Sequence, residues 1–185
     1  MKKIVSLLLI LVAFSSCETD VKFSDPGLQG RKDNFIWRAD LTQASFEATD
    51  PAVDPNVGNL TILGFRGLEI VSLQIPFDFG SVIGSSNPET YRFGYDNAHP
   101  ENDDDMVVGY SYQDNGLALE YYTGTGFNVD AQERGNAQVT ITEYDPIAKE
   151  VSGNFKFNVK YQGDSDIVPE NVNFQEGAFY RVKIY

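Results

Sequence analysis

One stretch near the end of the chain leaves little freedom in how it folds. Val151, Gly153, Phe155, Phe157, Val159 and Tyr161 fall on one phase, and Ser152, Asn154, Lys156, Asn158 and Lys160 on the other. Strict period-two alternation over this length is the pattern of a strand with one face in a core. A slip of one residue would place the whole apolar row in water, so the register is well specified.

The rest of the chain repeats the pattern in shorter form. Phe35, Trp37, Ala39 and Leu41 alternate with Ile36, Arg38 and Asp40. Trp37, the sole tryptophan, is a core residue or a ligand platform. Residues 49–59, with Asp50-Pro51 and Asp54-Pro55, read as a loop. Residues 60–65 and 68–76 are two strands joined tightly at Arg66-Gly67, and 80–89 reads as a loop. Tyr91, Phe93 and Tyr95 share a phase. Residues 107–112 and 117–122 flank Gln113-Asp114-Asn115-Gly116, and Asn-Gly in a short polar gap is a strong hairpin signal. Residues 124–136 are a further loop. Val139 and Ile141 alternate with threonines before a turn at Asp145-Pro146, 163–177 reads as an acidic irregular segment, and 178–185 as a last strand. About ten strands and no convincing helix predict a single all-β domain over 34–185: an antiparallel β-sandwich or a small β-barrel.

The N-terminus has a different character. Lys2 and Lys3 precede an apolar run at 4–14, then Ser15, Ser16 and Cys17. The run has signal-peptide length and falls short of the roughly 20 residues that span a bilayer. Small residues before the sole cysteine resemble the lipobox of bacterial lipoproteins, with Phe14 where the commonest form has Leu. By that resemblance 1–16 is a cleaved signal peptide, and Cys17 becomes the first mature residue, carrying acyl chains, palmitate among them. Two or more chains hold a protein stably on a membrane. Residues 17–33, with Pro26, Gly27 and Gly30, then read as the lipidated cysteine and a flexible tether. The localisation expected is the outer membrane of the cell envelope, on either face.

Without its first 16 residues the chain keeps 169 of 185, one domain's worth, with 12 Lys+Arg against 27 Asp+Glu. A mature net charge of −15 argues against nucleic acid, whose affinity rests on Lys and Arg neutralising phosphates. No second cysteine remains for a disulfide, so packing must supply the stability.

The run at 139–145 (VTITEYD), that at 151–157 (VSGNFKF), the closing EGAFYRVKIY at 176–185 and Trp37-Arg38-Ala39 after Leu28-Gln29-Gly30 resemble an uncharacterised family of small envelope lipoproteins from Bacteroidota-type bacteria. That resemblance implies an all-β domain and carries over no catalytic residue.

Signals for chemistry are sparse. There is no G-x-S-x-G elbow, and His99 is the sole histidine, so nucleophilic catalysis and zinc both lack partners. Residues 96–105 (DNAHPENDDD) offer hard oxygens, with Asp96, Asp103 and Asp105 as the calcium candidates, and Asp54, Asn56 and Asn59 form a thinner set. Neither has the spacing of a calcium loop. No other cofactor is expected. Among 10 tyrosines, Tyr110, Tyr112 and Tyr122 are the candidate ligand-binding residues, because tyrosine serves well at wet interfaces. The leading expectation is a non-enzymatic binding or accessory module for a glycan, a peptide or an envelope protein. The alternative is a lipocalin-like small-molecule carrier, with Tyr91, Phe93, Tyr95, Phe155 and Phe157 lining a cavity. A hydrolase with an unrecognised carboxylate pair comes third.

Overall fold

The computed structural model describes residues 27–82, 88–93, 106–114, 116–123, 135–163 and 168–185. These residues form eleven strands and one helical turn. The strands are β1 Gly27–Lys32, β2 Phe35–Arg38, β3 Leu41–Asp50, β4 Asp54–Arg66, β5 Glu69–Asp78, β6 Glu89–Phe93, β7 Val107–Asp114, β8 Leu117–Tyr122, β9 Gly135–Asp145, β10 Glu150–Lys160 and β11 Asn171–Lys183, with the turn α1 at Phe79–Val82. They build two antiparallel sheets, one in the order β2-β1-β11-β10-β9-β6 and one in the order β3-β4-β5-β7-β8. The fold is a sandwich; the barrel alternative fails because the two sheets meet through isolated bridges and do not close into one.

The sheets cross. From its start to its end, β3 meets successive strands of the other sheet. Ala44 forms a parallel bridge with Ile184 beyond β11. Phe46 packs on Phe79, which packs on Tyr144 of β9. Thr49 shares a cleft with Glu89 and Tyr91 of β6. In such packing the corners are made by segments that pass between sheets. Ala39 and Asp40 do this on the way from β2 to β3: the Ala39 N–H donates to Leu28 O and the Asp40 N–H to Phe65 O. At another corner Tyr121 pairs with Tyr161, and the Gln162 N–H donates to Glu120 O.

β10 shows the alternation expected of it, with Phe155, Phe157 and Val159 buried and Asn154, Lys156 and Asn158 exposed. β11 does not alternate simply. Its buried positions are Val172, Phe174, Gly177, Phe179 and Val182, followed by Ile184 past its end. The phase slips twice, at Glu176 and at Arg181, both in the left-handed region (φ 51° and 49°). Both neighbouring strands show the first extra residue, since Gln29 and Arg31 pair with Ala178 and Gln175 while Phe155 and Phe157 pair with Gly177 and Phe174. These are β-bulges, and they hide a strand from a period-two reading. The irregular segment expected over 163–177 therefore gives way to strand from Asn171.

Three other boundaries move. Residues 27–33 of the tether expected over 17–33 are strand and turn instead, because β1 pairs with both β11 and β2, and 17–26 lie outside the described residues. Asp33 and Asn34 both have positive φ, which makes the β1–β2 connection the two-residue turn that matches strand twist. The loop expected over 49–59 shrinks to 51–53 between paired Asp50 and Asp54. Part of the loop expected over 80–89 is the turn α1, and 83–87 lie outside the described residues. The Asn-Gly hairpin stands, with Asp114 paired to Leu117 and Gly116 at φ 85°.

Phe174 sits at the centre of the core. Its ring lies 4.7 Å from that of Phe157, 5.6 Å from Trp37, 6.0 Å from Tyr110 and 6.1 Å from Phe155. Removing a fully buried Phe costs about 3–5 kcal/mol. Phe174→Ala is expected to lower the unfolding free energy by that amount in urea titration. Ile147→Ala, in an exposed turn, should change it by less than about 0.5 kcal/mol.

Candidate functional site

Two arrangements of side chains stand out, one inside the sandwich and one on its surface. The inner one centres on Glu69, at the first position of β5. Its inward phase, shared with Val71 and Leu73, carries it between the sheets. Lys32 Nζ donates to Glu69 Oε1 (2.5 Å) and to the Tyr110 hydroxyl (2.7 Å). The Tyr110 hydroxyl in turn donates to Glu69 Oε1 (2.5 Å), and Trp37 Nε1 donates to Oε2 (3.1 Å). Arg66 Nη1 lies 3.9 Å from Oε2. Burial pushes the Glu69 carboxyl up. Hydrogen bonds from Lys32 and Tyr110, the Lys32 charge and the Trp37 bond outweigh it, and hold the group below its ordinary value. Burial, then Glu69, push the Tyr110 phenol far above its own. A general acid or base works best near the operating pH. Here the acid is driven down and the phenol up. The cluster is a saturated tie between the sheets, and its chemistry is to stay as it is.

The surface arrangement follows from cross-strand register on the outer face of the five-stranded sheet. One row runs Leu41, Phe65, Ile70, Ser111, Glu120. The next runs Gln43, Leu63, Ser72, Gly109, Tyr122, and a third runs Ser45, Thr61, Gln74, Val107. Across these rows the one charged side chain is Glu120, on the edge strand β8. Leu41, Leu63, Phe65 and Ile70 sit together on β3, β4 and β5, and Val107 and Tyr122 continue the band beyond Ser72, Gly109 and Ser111; Leu41 is exposed and the other five are half-buried. At its β8 end lies an open depression of about 260 Å³ lined by Ile70, Ser72, Val107, Ser111, Glu120 and Tyr122. Gly109 makes its floor. A Cβ there would meet Tyr121 O and Tyr122 Cβ, each at 2.7 Å, so a side chain would both fill the dip and push β8 away. The outer face of the six-stranded sheet is the opposite in character. Its central rows read Thr90, Thr140, Asn154, Ala178, Gln29, Arg38 and Arg92, Gln138, Lys156, with Ile36 and Tyr180 the exposed apolar side chains on β2 and β11.

The residues singled out in the sequence part company in the structure. Tyr110 is a core residue in the Glu69 cluster. Tyr112 shares its inward phase but emerges, 36% exposed, at the sandwich rim opposite Glu69. Tyr122 alone of the three belongs to the outer face, while Tyr121 turns inward. Trp37 is core, with its indole N–H used by Glu69. Tyr91, Phe93, Phe155 and Phe157, the described part of the row expected to line a carrier's cavity, belong to the packed core; Tyr95 lies outside the described residues. Cys17, His99, Asp96, Asp103 and Asp105 also lie outside them. Asp54 accepts the Asn56 N–H (2.8 Å) at the exposed start of β4. Among the described residues no three acidic, His or Cys side chains converge as metal ligands would.

The outer band escaped the sequence reading, although a signal for it exists. In 60–65 (LTILGF), Leu63 and Phe65 are apolar on the phase opposite to Leu60 and Ile62, and Ile70-Val71 and Val107-Val108 repeat this. Strands apolar on both phases are covered on both faces. The Lys32–Glu69 pair, 37 residues apart, left no local signal.

Fold and surface together define an antiparallel β-sandwich domain with an apolar band on the outer face of its five-stranded sheet. The chain belongs to the family described as Domain of unknown function (DUF6252), whose model matches residues 24–183. No curated protein matches it, and no solved structure does.

The Glu69 tie has a pH signature. The folded carboxyl sits below its unfolded value, so the unfolded chain binds more protons in the window between the two. The stability it contributes is present above the unfolded value, near pH 4.5, and is lost as pH falls through the folded value. Urea midpoints measured from neutral pH downwards should fall more steeply in the wild type than in Glu69→Gln. Parallel curves would show that the tie adds no pH-linked stability.

Proposed function

We propose that the chain is a non-enzymatic lipoprotein of the outer membrane, a binding module that offers the outer face of its five-stranded sheet to a protein of the envelope. The anchor in this reading is the lipobox at Cys17, carrying acyl chains that include palmitate, in a Bacteroidota-type envelope. One observation carries the binding role: an apolar band crosses the central rows of that face with charge only at Glu120, in a chain with 27 acidic residues. Centres of protein interfaces are depleted in charge and keep aliphatic and aromatic side chains, while the rim stays polar. Contiguous exposed apolar surface on a soluble domain marks such sites. Glu47, Asp78 and Glu120 border the band, which favours a partner with a basic rim.

Two experiments test the reading. Photo-crosslinking residues placed at Leu63 and Tyr122 in living cells should trap one and the same protein. Residues placed at Asn154 and Lys156, on the other sheet, should not trap it, and Phe65→Asp should abolish the adduct while the circular dichroism stays native. Equal trapping from both sheets, or protection of the band by envelope polysaccharide in place of a protein adduct, would sink the protein-docking reading. For the anchor, Cys17→Ala should move the protein from the membrane to the soluble fraction. A variant that still pellets with membranes would refute lipidation at that position.

A further inference from the structure

We infer that the depression at the β8 end of the apolar band takes an arginine side chain of the docking partner, its stem on Ile70, Val107 and Tyr122 and its guanidinium on Glu120. This deepens the docking role proposed above and rests on it. Strand register builds the place. Ile70, Ser111 and Glu120 stand in one cross-strand row on β5, β7 and β8, and Ser72, Gly109 and Tyr122 in the next. From Ile70 to Glu120 is two strand spacings, about 10 Å. Gly109, without a side chain, lies between Ser72 and Tyr122, and the depression over it measures about 260 Å³.

The lining asks for two properties in one occupant. Ile70, Val107 and Tyr122 offer apolar surface, and Glu120 offers a carboxylate beside them. Among the described residues no side chain donates to that carboxylate or pairs with it. A purely apolar group seated here would strip water from Glu120 and return no hydrogen bond, and an anion would be repelled. A long cationic side chain meets both demands, because it lays a hydrocarbon stem along apolar surface and carries its charge at the tip. Arginine suits the place better than lysine. Its planar fork can donate to a carboxylate and a hydroxyl together and stack on an aromatic ring, and here Ser111 and Tyr122 are the neighbours of Glu120 across and along the strands. The rim is held before anything binds. β8 pairs with β7 on one side, and on the other the Gln162 N–H donates to Glu120 O (2.9 Å) and Gln162 Nε2 donates to Tyr122 O (2.9 Å). A preformed pocket loses little order on binding, and arginine is among the residues that dominate interface energies. The charge of the chain works the same way, since 27 Asp+Glu against 14 Lys+Arg draw a cationic partner.

The test has two arms, both on the full chain. In the first, n-butylguanidinium is the probe, n-pentanoate is an anion of like shape, and saturation-transfer NMR is the readout. The unsubstituted protein should transfer saturation to the butyl protons of the guanidinium and not to pentanoate. Glu120→Gln removes the charge and Ser72→Leu fills the depression while leaving the carboxylate. Each should cut the transfer several-fold with the circular dichroism unchanged. Glu47→Gln, which removes the same charge at the other edge of the face, should leave the transfer as it was. Equal transfer in Glu120→Gln and the unsubstituted protein overturns the pocket. An equal loss in Glu47→Gln overturns it too, by showing attraction to the acidic surface at large. In the second arm, a photo-crosslinking residue at Leu41, on the far edge strand β3, reports docking away from the depression. Glu120→Gln and Ser72→Leu should each lower that adduct about tenfold or more. An undiminished adduct overturns the arginine anchor and leaves the docking face standing. Absence of any Leu41 adduct from the unsubstituted protein sinks the docking reading, and the partner's arginine with it, whatever the probe does.

Discussion

The fold depends on β11 keeping its apolar side chains inward while serving two neighbours and reaching a third strand. It pairs with β1 on one side and β10 on the other, and the segment after it bridges to β3 of the opposite sheet. A straight strand over this length would not turn towards the crossing sheet. The two bulges solve this. Each adds a residue, bends the strand and shifts the apolar phase by one, so that Val172 and Phe174, then Phe179, then Val182 and Ile184 all meet the core. The cost is a left-handed backbone at Glu176 and Arg181, where L-residues are disfavoured by about 1–2 kcal/mol. The return is the contact of Phe174 with four aromatic rings and the stitch between Ile184 and Ala44.

The Lys32–Glu69–Tyr110–Trp37 cluster does different work. Two partly buried charges seldom stabilise a protein more than an apolar pair of the same shape would. Their effect is on specificity. Glu69 receives donors from β1, β2 and β7 together, and another seating of the two sheets would leave a carboxylate short of partners in a place water reaches poorly. The cluster thus fixes how the crossed sheets meet at the end where β1 and β2 cover the β4–β5 turn.

Legibility in the sequence follows from how local each feature is. β10, the Asn-Gly hairpin and the Asp145 turn are set by neighbouring residues, and the alternation or turn chemistry shows them directly. β11 is misread because bulges break the period. β1 is misread because Gly27 and Gly30 look like linker while the β11 residues that pair with the strand lie about 150 residues downstream, as in the Gly27–Tyr180 pair. Sandwich and barrel share one strand pattern, and the choice is made by corners such as Ala39-Asp40 and by pairs such as Tyr121–Tyr161 that have no sequence signature. For the candidate surface, composition groups Tyr122 with Tyr110 and Tyr112, and only β-strand phase and the rim position of Tyr112 set the three apart. The band itself was present in the doubled apolar phase of 60–65 and passed for extra core.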